Sequence, residues 1–89
     1  MSVFAVIPTR LDHKLGPALD AARSSGVLQY LQLPQKEYLV SFRGTSTELS
    51  DLLKITGGEN GLAIVLAISS YYGRTSTDTW EWIKNHWEA

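Results

Sequence analysis

The chain has 89 residues, 44% hydrophobic and 19% charged, with a formal net charge of −1 and no cysteine. This length fits a single domain over 1–89, and the balanced charge lacks the basic footprint of a duplex-binding protein. The missing cysteines exclude thiol catalysis, disulfide staples and cysteine-based zinc sites, and favour a reducing, cytoplasmic setting.

In chain order, residues 3–7 alternate among β-branched and aromatic side chains and read as a strand that Pro8 ends. The stretch is too short for a signal peptide or a membrane span and has no positive leader, so no membrane contact is expected. Leu11, Leu15, Ala18, Leu19 and Ala22 then recur at helical spacing, with His13, Asp20 and Ser24 opposite. Pro17 fits this helix if Asp12 caps it and Pro17 lies near the first turn, or if the regular helix starts at Pro17. Gly26 ends it.

Residues 27–33 and 38–43 are two strand-like runs joined by a turn at 34–37. Thr45-Ser46-Thr47-Glu48 is a capping box, and Leu49, Leu52 and Leu53 form the apolar side of a short helix. The glycine-rich stretch 57–61 follows a helix and opens a strand, the reverse of a phosphate-binding loop, so it reads as a stop and a turn. Residues 62–70 are the most apolar stretch and suit a strand. Thr75-Ser76-Thr77-Asp78 repeats the capping signal ahead of a last helix with Trp80, Trp82, Ile83 and Trp87.

The order β-α-β-β-α-β-α predicts an α+β fold: a ferredoxin-like split β-α-β-β-α-β sandwich over 1–73, plus an added C-terminal helix over 75–88. Two helices should cover one face of a four-stranded antiparallel sheet, with the fourth strand at an edge. That strand is apolar on both faces, so both are expected to be covered, partly by the last helix. The surplus apolar surface marks Leu62, Ile64, Leu66, Trp82 and His86 as candidate interface residues. A second copy of the chain, or another protein, would be the partner.

A second candidate comes from an internal echo. Residues 38–48 and 68–78 both read strand, aromatic, an arginine–glycine pair, Thr-Ser-Thr, acid, helix. In the expected sheet both strands end on the same side, with one strand between them, which puts the two corners roughly 10 Å apart. Arg43, Thr45 and Ser46 at one corner, with Tyr72, Arg74, Thr75 and Ser76 at the other, form a candidate site for a small anionic or phosphorylated ligand. The competing reading is plain helix capping, in which Glu48 and Asp78 repel an anion.

His13 and His86 have no second ligand at metal-binding spacing, so no metal or cofactor is expected. There is no nucleophile elbow and no paired carboxylates, and no residue set stands out as catalytic. Single-stranded nucleic-acid binding requires Phe4, Tyr38 and Phe42 to face outward as a stacking platform. The third strand lacks the accompanying basic motif. The favoured expectation is a small regulatory or adaptor-type binding domain acting as a homodimer.

Overall fold

A computed structural model describes residues 2–87. Its elements are β1 (Ser2–Pro8), α1 (Leu15–Ser24), β2 (Leu28–Gln32), β3 (Tyr38–Phe42), α2 (Ser46–Leu52), β4 (Ala63–Ala67) and α3 (Thr77–His86). The strands form one antiparallel sheet in the order β2-β3-β1-β4. β4 is therefore an edge strand, and β1 separates β3 from β4. Position 1 of the expected core and position 88 of the expected last helix lie outside the described residues.

The alternation along β1 buries side chains in both directions. Phe4 and Val6 point to the face that also carries Leu28, Tyr38, Val40 and Phe42. Leu15, Leu19 and Ala22 of α1, Leu49 of α2 and Leu53 just beyond it pack on that face. Val3 points the other way, level with Ser41, and both are buried. α3 covers this second face, touching β1 and burying Ile83. The sheet is thus enclosed by two helices on one face and, in part, by one helix on the other.

Phe4, Tyr38 and Phe42 are all buried under α1 and α2. The outward stacking platform considered from the sequence does not form, because these three positions share the parity that faces the helices.

The first helix starts at neither expected place. Lys14 occupies its N-cap and supplies no side-chain hydrogen bond. His13 Nδ1 instead accepts from the Leu15 backbone N–H at 3.3 Å. His13 therefore precedes the helix rather than lying on its polar face, and Asp12 pairs with Arg10 at 3.0 Å. Pro17 sits in the first turn, where its missing N–H costs no helical bond. Leu11, expected on the apolar face, is 93% exposed. Gly61 explains the placement of His13. Its φ is +110°, and a Cβ there would come within 2.7 Å of the His13 Cβ, so the 57–61 loop closes against the helix entry only with glycine at this point.

The second helix starts as its sequence dictates. Thr45 Oγ1 accepts from the Glu48 N–H at 3.1 Å, and the Glu48 carboxylate accepts from the Thr45 N–H at 3.0 Å. The last helix starts later than position 75, because Ser76 rather than Thr75 is the cap, accepting from the Thr79 N–H at 3.4 Å.

Core burial and helix entry give a direct contrast. Leu19→Ala should cost about 2–5 kcal/mol by opening a cavity between α1 and the sheet. Leu11→Ala should stay within about 0.5 kcal/mol. Urea unfolding of the two variants checks both values, and a comparable loss for Leu11→Ala would restore it to the helix face.

Candidate interaction surface

The surface grows out of the phase of β4. Its register with β1 pairs Ile7 with Ile64, Ala5 with Leu66 and Val6 with Val65. Ile64 and Leu66 therefore share the α3 side of the sheet with Ala5 and Ile7. Ala63 and Val65 lie on the helix-covered side and pack against the main core, where α2 contacts β4. On the α3 side the cover stops short of the edge. Leu62 and Ile64 are each 50% exposed and Leu66 is 47% exposed. The expectation that both faces of this strand are covered is thus met only in part: Ala63 and Val65 are half-buried on the α2 side while Ala67 there is exposed, and α3, lying over β1, leaves the other side half-open. Burying the remaining half of each of these side chains is worth about 1 kcal/mol.

α3 turns much of its aromatic surface onto itself. Tyr71 packs against Trp80 and Trp87, with ring centroids 5.7 and 4.7 Å apart. Trp82 stacks on His86 at 4.2 Å, and the His86 Nδ1 lies 2.7 Å from the Trp82 carbonyl oxygen. Trp82 and His86 are half-buried and in mutual contact, unlike the half-open Ile64 and Leu66 of β4.

The two strand-to-helix corners do fall at one end of the sheet, because β3 and β4 both run antiparallel to the intervening β1. They differ in build. Three residues link β3 to α2, whereas positions 68–76 separate β4 from α3. Arg43, Thr45, Tyr72, Arg74, Thr75 and Ser76 are exposed and Ser46 is half-buried. Neither the Arg43 nor the Arg74 guanidinium makes a hydrogen bond or ion pair with another described residue. At the α2 corner the Glu48 carboxylate already takes the backbone N–H of Thr45. An anion binding there would meet that carboxylate.

A polar cluster that the sequence reading missed joins α1 to β2. The Tyr30 hydroxyl donates to Asp20, Arg23 pairs with Asp20 at 2.9 Å, and the Arg23 guanidinium lies 4.5 Å from the Tyr30 ring centroid. Tyr38 meets the Tyr30 ring edge-on at 5.9 Å and the His13 ring at 6.3 Å. Asp20 and Arg23 are three residues apart on the outward side of α1, and that spacing was the available signal. Its partner ten residues away in sequence was not visible without the strand pairing. The arrangement braces α1 against β2. It holds no nucleophile–base pair.

A groove of about 570 Å³ lies between α1 and α2 and is open to solvent. Lys14 and Lys54 reach it beside Ala18, Ala21 and Asn60, with no carboxylate among its lining residues. Among the described residues no three histidine, aspartate or glutamate side chains gather as a metal site. No helix among them is long and apolar enough to cross a membrane.

Comparison with protein-family models, with curated proteins and with solved structures gives no match for this chain.

The Tyr30–Asp20 contact has a pH signature. Donation to Asp20, then burial, raise the Tyr30 pKa above its ordinary value of 10.0, and Arg23 opposes them. Burial raises Tyr38 in the same direction. The folded state therefore holds these protons longer than the unfolded chain does. The associated stability is fully present below pH 10 and is lost as pH rises through the folded pKa values. Thermal unfolding followed from neutral to strongly alkaline pH should show this decline, and Tyr30→Phe should make it shallower. An unchanged slope would remove Tyr30 from the account.

Proposed function

We propose that this chain is a ferredoxin-like interaction domain of regulatory or adaptor type, whose contact surface is the open border of the sheet at β4. The fold name draws support from the order β2-β3-β1-β4, in which β1-α1-β2 and β3-α2-β4 are each split by an intervening antiparallel strand. The functional reading rests on one observation: Ile64 and Leu66 of the edge strand, with Leu62 just before it, form a half-exposed apolar row, and the strand carries no charge. Soluble proteins blunt such edges with lysine, proline or a covering element. An unguarded apolar row at the sheet border is what a protein interface leaves on the unbound molecule. Pairing of two copies is the simplest assembly that covers it.

The test is sedimentation of the fluorescently labelled chain, both purified and added to soluble extract of its native cells. The wild type should sediment as a species heavier than the 9.9 kDa monomer in at least one of the two. Ile64→Lys combined with Leu66→Lys should return it to the monomer while leaving its circular dichroism unchanged. A wild-type monomer in both settings would end the reading. Thermal stabilisation by phosphate that disappears in Arg43→Ala plus Arg74→Ala protein would move the function to the strand-to-helix corners instead.

A further inference from the structure

Backbone phase decides what the open edge of β4 can accept. The Thr9 N–H donates to the Leu62 carbonyl at 2.8 Å, and the Ile68 N–H donates to the Val3 carbonyl at 3.1 Å. Both contacts belong to the register that pairs β1 with β4. Hydrogen-bonded pairs alternate along an antiparallel ladder, so Leu62, Ile64, Leu66 and Ile68 turn their N–H and C=O groups toward β1. Ala63, Val65 and Ala67 turn theirs outward, to the side where β4 has no neighbouring strand among the described residues.

The side chains match this phase. Leu62-Ala63-Ile64-Val65-Leu66-Ala67-Ile68 is nearly the same read in either direction, with only leucine and isoleucine exchanged. Its centre is Val65, one of the outward-facing residues. A two-fold axis through Val65 would set Val65 opposite its own copy, Ala63 opposite Ala67 and Ile64 opposite Leu66. The pairs at 63, 65 and 67 would be hydrogen-bonded pairs, giving about six backbone bonds across the seam. On the α2 side the seam would consist of Ala, Val and Ala, small enough for the flanking helices of the two copies. Next to it, Ser46, Thr47, Ser50 and Thr56 line a shallow groove with Val65, and none of them is charged. On the α3 side each Ile64 would meet a Leu66, covering surface that is now half-exposed.

We infer that the occupant of the β4 edge is a second copy of this chain, paired antiparallel and centred on Val65, so that two sheets fuse into one of eight strands. This rests on the interaction reading above and specifies its partner and register. The opposite edge of the sheet supports a closed pair rather than an open chain of copies. β2 carries Gln29 and Gln32, Pro34 follows it, and Arg23 lies across its Tyr30. In the pair both outer strands would be β2, so the assembly ends there.

The absence of cysteine makes the test clean. In the inferred pair the two Val65 Cα atoms lie about 5.5 Å apart, within disulfide range. Val65→Cys should therefore cross-link to itself under mild oxidation. Ala63→Cys should not, because its own copy is four residues away along the seam, about 14 Å. Val65→Pro removes an N–H that does not serve the β1 ladder, so it should give a folded monomer in sedimentation. Purified wild type that stays monomeric at its highest attainable concentration overturns the inference. The interaction reading would survive that result if the chain grows heavier in cell extract. A purified dimer in which Val65→Cys fails to cross-link, or in which folded Val65→Pro still pairs, overturns the edge geometry alone. If Val65→Pro does not fold, the two cysteine variants decide.

Discussion

The structure depends on burying β1 from both sides. β1 is paired along both edges, and its alternating side chains serve two separate packing layers. Phe4 and Val6 lie under α1 and α2, while Val3 lies on the α3 side. A strand with period-two geometry cannot favour one layer without presenting the intervening residues to the other. Once β1 is apolar at 3, 4, 6 and 7, a third helix on the far face becomes a requirement rather than an ornament. The position of α3 over β1 then determines what remains open. A ten-residue helix covers a strip about 15 Å long and about 10 Å wide, which is only part of a face built of four strands about 4.8 Å apart. Part of the uncovered remainder falls at β4, where Ile64 and Leu66 are half-exposed.

Local signals were legible where a single short contact decides the conformation. The Thr45–Glu48 capping box is satisfied within four residues, and its sequence and its geometry agree. Strand positions were legible for the same kind of reason, since the alternation is written into each strand. The start of α1 was not. There the periodicity of Leu11 with Leu15 suggested a longer helix, but the backbone is set by contacts distant in sequence. Gly61 packs against His13, and the Asn60 carbonyl accepts from the Lys14 N–H at 2.8 Å. A loop nearly fifty residues later therefore fixes where the first helix begins, and no local pattern carries that information.

The candidate surface was legible in composition and only partly in geometry. Leu62, Ile64 and Leu66 stood out because an edge strand without polar residues is unusual. The direction each faces required the register. Trp82 and His86 were grouped with them on helical spacing, yet they stack on one another, and their aromatic area is partly consumed within α3. The Tyr30–Asp20–Arg23 cluster shows the reverse case. Its residues look like ordinary solvated polar groups in the sequence, and only the docking of α1 beside β2 brings them together.

The two borders of this one sheet are treated differently, and that asymmetry carries the functional argument. The β2 border is broken by glutamines, terminated by a proline turn and overlaid by a guanidinium on Tyr30. The β4 border has seven consecutive apolar residues with no charge, no proline and a near-palindromic order. Fold stability alone does not require this. Val65 and Ala63 already supply the contacts the main core needs, and polar residues at 62, 64 and 66 would leave those contacts intact. The apolar choice at these three positions instead carries the cost of an exposed, pairing-competent edge. A chain of 89 residues has a thin margin for such a cost. The choice becomes economical only if the edge is covered when the protein works, and a seam centred on Val65 would cover it with the residues it already has.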